Sequence, residues 1–177
     1  TKDADVIKLT RTAGAGNATF TLSNASLEFA GGNIKLSDGV DLVANTGNKA
    51  LTVLGVRGTS YEDVTLTTSG TLTVGTGGIG SGTQIEDVSL DGTSIVLKGN
   101  ITTAGLTANN TNNVGDVDFD GAVTIDGAVT ITTDVSESTV NDGKIDFATN
   151  TINAEGTATD SLTLTSGSGT ITLGGAV

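Results

Sequence analysis

Hydrophobic residues occur in short alternating triplets along most of the chain, such as LTV at 72–74 and VTI at 123–125. In a β-strand the two apolar side chains of such a triplet lie on one side, and the central threonine lies on the other. We find no convincing run of apolar residues with the three- and four-residue spacing of an amphipathic helix. The pattern therefore predicts an all-β chain of short strands.

Two segments repeat each other closely. Residues 58–66 read GTSYEDVTL and residues 82–90 read GTQIEDVSL, with six identical positions at an offset of 24. A further step of 24 residues toward the N-terminus reaches Val40 and Leu42. This periodicity predicts an inner stack of six residues on neighbouring coils: Val40, Leu42, Val64, Leu66, Val88 and Leu90.

More triplets follow within each period, because Val64 and Leu66 are succeeded by Leu72, Val74 and then Ile79. A strand this short cannot bury its apolar side chains alone, but strands stacked about 4.8 Å apart form continuous aliphatic columns. The sequence therefore predicts a single-stranded parallel β-helix, or β-solenoid, with coils of about 24 residues and the commoner right hand. The alternative is a β-sandwich or jelly roll, but the chain lacks the Asn-Gly turns that favour its hairpins.

The first sixteen residues differ from the repeats at 17–177, since Lys2, Lys8 and Arg11 stand among their apolar residues. We expect residues 1–16 to form an N-terminal capping segment or an irregular first coil. Because the chain starts with Thr and stops within a repeat, we also expect a processed product or a segment of a longer protein.

The amino-acid composition restricts the functions that we expect for the chain. The chain has 26 Gly, one Tyr and four Phe, and it contains no His, Cys, Met, Pro or Trp. Without His or Cys the usual general base and thiol nucleophile are missing, and one Tyr cannot build the aromatic platforms of a sugar-cleaving groove. We therefore expect no enzymatic activity and no required cofactor.

The charge balance also restricts the partners. The formal net charge is −12 with only eight Lys and Arg, which disfavours nucleic acid because polyanion binding needs clustered cations. No apolar run is long enough for a membrane-spanning helix, so membrane insertion is not expected.

Three stretches carry a resemblance to known proteins: GNIKLSDGVDL, DGAVTIDGAVTITTD and DSLTLTSGSGTITLGGAV. They resemble the β-strand repeats of large exported bacterial proteins, the filamentous-haemagglutinin-like exoproteins and autotransporter-type adhesins. The resemblance covers the chain from about residue 18 onward. It implies a right-handed parallel β-helix, an extracellular or cell-surface location, and a role in adhesion, biofilm matrix or fibres.

One string resembles the first half of a calcium loop. Asp116, Asp118 and Asp120 precede Gly121 in the order D-x-D-x-D-G, in which alternate carboxylates can reach one ion. The bidentate Glu of such loops is missing, so Asp126 is the candidate fourth ligand of a weak calcium site. The alternative is an ordinary strand whose three aspartates face solvent.

Two further features have open interpretations. The pairs Glu62–Asp63 and Glu86–Asp87 recur in register, so they either bind a bridging cation or lie hydrated in splayed turns. The Asn-rich string at 108–114 is expected to form an extended loop, with glycan contact as the alternative. We therefore expect a structural protein that assembles with itself, or an adhesin whose loops at 103–116 and 132–144 contact a cell-surface or glycan ligand.

Overall fold

The computed structural model describes residues 6–9, 18–21, 26–29, 31–37, 39–59, 62–82, 85–103, 115–133 and 142–177. Within these residues the regular structure consists of fifteen strands and no helix. The strands are β1 (Val6–Leu9), β2 (Ala18–Thr21), β3 (Leu27–Phe29), β4 (Asn33–Leu36), β5 (Leu42–Asn45), β6 (Leu51–Arg57), β7 (Val64–Ile79), β8 (Val88–Leu97), β9 (Ile101–Thr102), β10 (Val117–Ile125), β11 (Ala128–Thr132), β12 (Ile145–Asp146), β13 (Ile152–Ala154), β14 (Ser161–Thr165) and β15 (Ile171–Thr172).

All pairings between the described strands are parallel. The strands form one 15-stranded sheet that is nearly closed on itself, like a barrel. The predicted all-β class is therefore confirmed. The alternative of a hairpin-built sandwich is wrong, because hairpins require antiparallel neighbours.

The pairings divide the sheet into three ladders. Ladder 1 contains β2, β5, β7, β8, β10, β12 and β15; ladder 2 contains β3, β6, β7, β8, β10 and β13; ladder 3 contains β1, β4, β6, β7, β9, β11 and β14. Long strands such as β7 bend and contribute to more than one ladder. The chain visits the ladders in the constant order 1, 2, 3, and we call one such passage a rung.

The apolar side chains of the triplets face the interior. In β7, Val64 and Leu66 are fully buried, whereas Thr65 between them is partly exposed. Full burial of one such aliphatic side chain contributes roughly 1.5–3 kcal/mol. Near the C-terminal end, Phe119 and Phe147 occupy neighbouring rungs with their rings parallel and their centroids 4.5 Å apart. One continuous core therefore runs through the successive rungs.

The predicted inner stack is confirmed for four of its six residues. Val64 pairs with Val88, and Leu66 pairs with Leu90, at the predicted offset of 24. All four side chains are at most 1% exposed.

The prediction for Val40 and Leu42 is wrong by two residues. Leu42 itself pairs with Val64, so Val40 precedes the stack instead of joining it. The Leu42 rung is shorter because β6 has only Leu54 at the bend from ladder 2 to ladder 3, where β7 has residues 75–77.

Strand β1 lies in the segment 1–16 that was expected to cap the repeats. All four of its residues pair in parallel with β4, so β1 extends ladder 3 by one strand. Residues 1–5 and 10–17 lie outside the described part of the chain.

Candidate functional site

The chain passes from ladder 3 back to ladder 1 at what we call the long bend. The predicted ligand-contacting loops at 103–116 and 132–144 both begin and end there, since they join β9 to β10 and β11 to β12. Residues 104–114 and 134–141, which include the Asn-rich string, lie outside the described part of the chain.

Buried hydroxyl groups form hydrogen bonds between the two ends of these connections. Thr133 Oγ1 donates a hydrogen bond of 2.6 Å to the carbonyl oxygen of Gly143 across the 134–141 segment. Thr103 and Ser166 donate equivalent bonds across their own connections. All three hydroxyl residues are buried. The two ends of each connection are therefore held together on the sheet.

An aspartate directly precedes ladder 1 on four successive rungs. The Oδ1 atoms of Asp41, Asp63 and Asp87 each accept a hydrogen bond from the backbone N–H of the next aspartate, at 3.1, 3.2 and 2.8 Å. Asp116 closes the series by accepting from the N–H of Lys144 at 2.9 Å. We call these four residues the aspartate ladder. Sequence reasoning missed it, although an Asp stands immediately before the first apolar residue of four ladder-1 strands, β5, β7, β8 and β10.

The stacked carboxylates influence one another. Partial burial raises the pKa of Asp63 and of Asp87, the backbone hydrogen bond that each carboxylate accepts lowers it, and the charges of neighbouring aspartates raise it again. Strand spacing of about 4.8 Å keeps these like charges close. Backbone donors therefore offset the combined effect of burial and repulsion on these pKa values only in part.

The glutamates of the repeated Glu–Asp pairs lie inside the molecule. Glu62 is 0% exposed and Glu86 is 5% exposed, and the N–H of Glu86 donates to the carbonyl of Glu62 at 2.9 Å. The carboxylate of Glu62 accepts bonds from the N–H and the hydroxyl of Thr59, both at 2.8 Å. The interpretation of hydrated Glu–Asp pairs is therefore wrong for the glutamates, since only the aspartates reach the outer side.

The four predicted calcium ligands do not converge. Asp116, Asp118 and Asp120 lie along the outer side of ladder 1, as the alternative of an ordinary strand predicts. Asp126 lies beyond ladder 2 at the next bend, where it forms an ion pair with Lys98. Among the described residues, no group of three or more acidic side chains is placed to hold a metal ion. The choice of Asp126 as fourth ligand is thus wrong, because the ladder-2 part of β10 separates it from the others.

Acidic side chains are nevertheless concentrated on the outer side of ladder 1. Asp91 pairs in register with Asp120, and Asp118 with Asp146; we call these four residues the acidic patch. Lys144 Nζ lies 2.8 Å from Asp118 and 3.8 Å from Asp146. Burial, and then the charge of Asp120, raises the pKa of Asp91. Asp118 and Asp146 therefore share one neighbouring lysine, whereas no Lys or Arg of the described residues lies within ion-pair distance of Asp91 or Asp120.

Cations are concentrated at the opposite end. Lys8, Lys35 and Arg57 occupy the same register position on three successive rungs of ladder 3, and we call them the basic column. Lys35 and Arg57 are exposed, and neither lies within ion-pair distance of an acidic side chain in the part of the chain that is described. Six of the eight Lys and Arg precede residue 58, whereas fifteen of the twenty Asp and Glu follow it.

The C-terminal end of the sheet leaves apolar side chains uncovered. Ile171 is 38% exposed and Leu173 is 47% exposed. At the same end, Ile152, Leu162 and Val177 line an open groove of about 240 Å³. The last described strands therefore present an apolar surface at this end of the sheet.

No family model matches the chain, and no curated protein or solved structure matches it. No helix among the described residues has the length and apolar character needed to cross a membrane. Function is therefore inferred from the ladders and from the surfaces that they carry.

Proposed function

We propose that the three ladders are the faces of a parallel β-solenoid, and that this solenoid is a structural rod in an extracellular fibre or matrix filament. The observation that carries the proposal is the constant order of the ladders. Each coil of a solenoid contributes one strand to every face, next to the strand of the preceding coil. The Val64 rung does this within a single strand, because β7 takes part in all three ladders.

Ile171 and Leu173 offer an apolar surface on which a further rung can stack, either from a continuing chain or from a second copy. In either case the added rung would bury both side chains and extend the parallel ladders by further strands. Contacts between unlike ends of a molecule propagate into filaments when their rotation does not close a ring.

A structural role also agrees with the residue types. A chain without His or Cys lacks the common catalytic groups, and a net charge of −12 disfavours nucleic acid as a partner. The resemblance to repeats of exported bacterial proteins supports an extracellular or cell-surface location and a right-handed coil. On this proposal the protein is not an enzyme, needs no cofactor and does not insert into a membrane.

Electron microscopy and fibre diffraction of the purified chain test the proposal. We expect filaments that lengthen with protein concentration and a reflection near 4.8 Å along the filament axis, because the strands lie across the axis. A chain that stays monomeric at every concentration would contradict the filament, and a 4.8 Å reflection across the axis would contradict a rod of stacked coils.

A second candidate function is adhesion through the two long connections at the long bend. The observation that favours it is the shared position of their bases, which Thr103 and Thr133 hold closed on the sheet. Replacing residues 104–114 and 134–141 with short Gly-Ser linkers would abolish binding to cells or glycans if these segments carry the ligand site. Unchanged filaments in the same variant would separate the two functions.

Calcium binding at Asp116, Asp118 and Asp120 stays a proposal from the sequence, and because these carboxylates lie along one strand without converging, it is a proposal of weak surface binding only. Calcium is expected to raise the melting temperature of the wild type, and a triple Asn variant of these residues is expected to lose that increase. Equal melting curves with and without calcium would exclude the ion. Asp126→Asn is the matched control, because that residue lies at another bend.

A further inference from the structure

The basic column and the acidic patch are regular arrays with the same period. Lys35 and Arg57 lie on adjacent rungs of ladder 3, and Asp91 and Asp120 lie on adjacent rungs of ladder 1. Neighbouring parallel strands are about 4.8 Å apart in any such sheet. Two cations on one surface can therefore meet two carboxylates on another surface without a change of spacing.

Within the described part of one molecule, each array is electrostatically incomplete. No acidic side chain of the described residues pairs with Lys35 or Arg57, and Lys144 contacts only the Asp118 and Asp146 side of the acidic patch. Like charges on adjacent rungs repel each other, and the raised pKa of Asp91 reflects the nearby charge of Asp120 after the effect of burial. A surface of opposite charge would relieve the repulsion in both arrays.

We propose that the basic column of one copy docks against the Asp91 and Asp120 side of the acidic patch of a second copy. Because the two arrays lie on different ladders and toward opposite ends, the contact joins neighbouring molecules side by side with a stagger along the rod axis. In a filament, cationic and anionic stretches would alternate along each rod and match those of its neighbour. This inference rests on the proposed rod, since it describes how such rods bundle.

The second copy fits the basic column better than a foreign polyanion does. It carries fixed carboxylates at the spacing of the column, and it is present at the same concentration wherever the protein assembles. The overall charge of −12 opposes association at long range, but physiological salt screens charges beyond about 8 Å while close pairs persist. Bundling is therefore expected to be strongest at intermediate ionic strength and to weaken toward both low and high salt.

Paired charge reversals test the contact. K35E/R57E and D91K/D120K are each expected to weaken side-by-side association, measured by sedimentation and by filament bundle width, by roughly tenfold or more. An equimolar mixture of the two variants is expected to associate again, because the reversed column of one variant meets the reversed patch of the other. Single filaments are expected to form throughout.

The matched control compares K35E with K49E, since Lys49 is also exposed and precedes residue 58 but lies outside ladder 3. Equal effects of K35E and K49E, or no recovery in the mixture, would overturn the proposed contact while leaving the rod intact. Failure to form any filament would instead count against the proposed function. Wild-type binding to soluble polyglutamate that K35E/R57E abolishes, without self-association, would overturn the second copy in favour of a foreign anionic partner.

Discussion

The Val64 rung and the Ile145 rung follow the same three ladders in different ways. The Val64 rung is one continuous strand of 16 residues, whereas the Ile145 rung divides into strands of two, three and five residues. Strand β7 pairs with strands on both of its sides, whereas β14 pairs with β11 only, and β13 pairs with β10 while the N–H of its Ile152 donates to the carbonyl of Ala176 on the other side. Leu66 is fully buried, while Leu164 at the end of the sheet stays partly exposed.

The difference shows where stability is located. In the centre, every strand has neighbours on both sides and every inward side chain lies between two others. At the C-terminal end, apolar side chains remain open on one side. Local opening is therefore expected to start at the C-terminal strands, with central amides exchanging last with solvent.

The largest effect is expected from a substitution that disrupts the close approach of two central rungs. Gly80 has a φ of +74°, and a Cβ there would lie 1.8 Å from the carbonyl oxygen of Thr102 on the next rung. Gly80→Ala therefore combines backbone strain with a clash against a backbone atom, and we expect it to destabilise the fold by on the order of 4 kcal/mol. Urea denaturation measures the loss.

Gly82→Ala is the matched control for this substitution. Gly82 has nearly the same φ, +76°, but a Cβ there has no neighbour within 4 Å. We expect a loss of about 1–2 kcal/mol from the left-handed backbone alone. Equal losses of unfolding free energy for Gly80→Ala and Gly82→Ala would contradict the close approach of Gly80 to Thr102 on the next rung.

The second prediction compares the core of the centre with that of the end. Leu90→Ala is expected to lower the free energy of unfolding by about 2–5 kcal/mol, because Leu90 is fully buried between neighbouring rungs. Leu164→Ala at the partly exposed end should cost about 1 kcal/mol, since less apolar surface is lost. Denaturant unfolding of both variants measures the ratio, and equal losses would contradict a C-terminal end that is less stable than the centre.

Much of this core was predictable because short apolar triplets with threonine between them have one favourable arrangement in a stacked sheet. The series from Val64 and Leu66 through Leu72 and Val74 to Ile79 runs along ladders 1, 2 and 3, as the triplets indicate. Apolar periodicity reports which side chains face inward, and neighbouring rungs repeat that pattern.

The number of residues at each bend was not predictable from periodicity. Val40 was misplaced because the bend at Leu54 is two residues shorter than its counterpart in β7, and glycine-rich bends tolerate such changes without altering the triplets. The aspartates before ladder 1 mark the register better, since Asp41 and Asp63 are themselves joined by a hydrogen bond. The basic column could not be seen, because it depends on the pairing of β1, β4 and β6 across the variable bends.

The third prediction concerns the central aspartate ladder. Burial and neighbouring charges raise the pKa of Asp63 above its ordinary value of 3.8. Its ionised form is therefore disfavoured in the folded state, and the contribution of Asp63 to stability should rise as pH falls from neutral through the raised pKa toward 3.8. Asp63→Asn keeps an oxygen that can accept the N–H of Asp87 but removes the charge.

We expect Asp63→Asn to melt at a higher temperature than the wild type at pH 7, and we expect this difference to vanish near pH 4. The gain in stability should be smaller than the losses expected for Gly80→Ala and Leu90→Ala. Glu28→Gln removes one exposed negative charge away from the ladder and is the charge-matched control. An equal gain in the control would attribute the effect to net charge rather than to the ladder.

The fourth prediction has the opposite sign and lies at the C-terminal end. The hydroxyl and then the N–H of Thr157 lower the pKa of Asp160 to about 2, with help from the N–H groups of Gly127 and Gly156. The ionised carboxylate therefore stabilises the fold above pH 3.8, and this contribution is lost as pH falls toward 2.

Asp160→Asn places an amide NH₂ among these donors, so it should lower the melting temperature at neutral pH and approach the wild type near pH 2. Asp160 directly precedes β14, and its carboxylate accepts the N–H of Gly127 on the neighbouring rung. In Asp160→Asn, amide exchange should therefore accelerate in β14 and leave β7 and β8 protected. Uniform acceleration in all three strands would show that the end and the centre unfold as one unit, and the contrast between the two rungs would then be structural but not energetic.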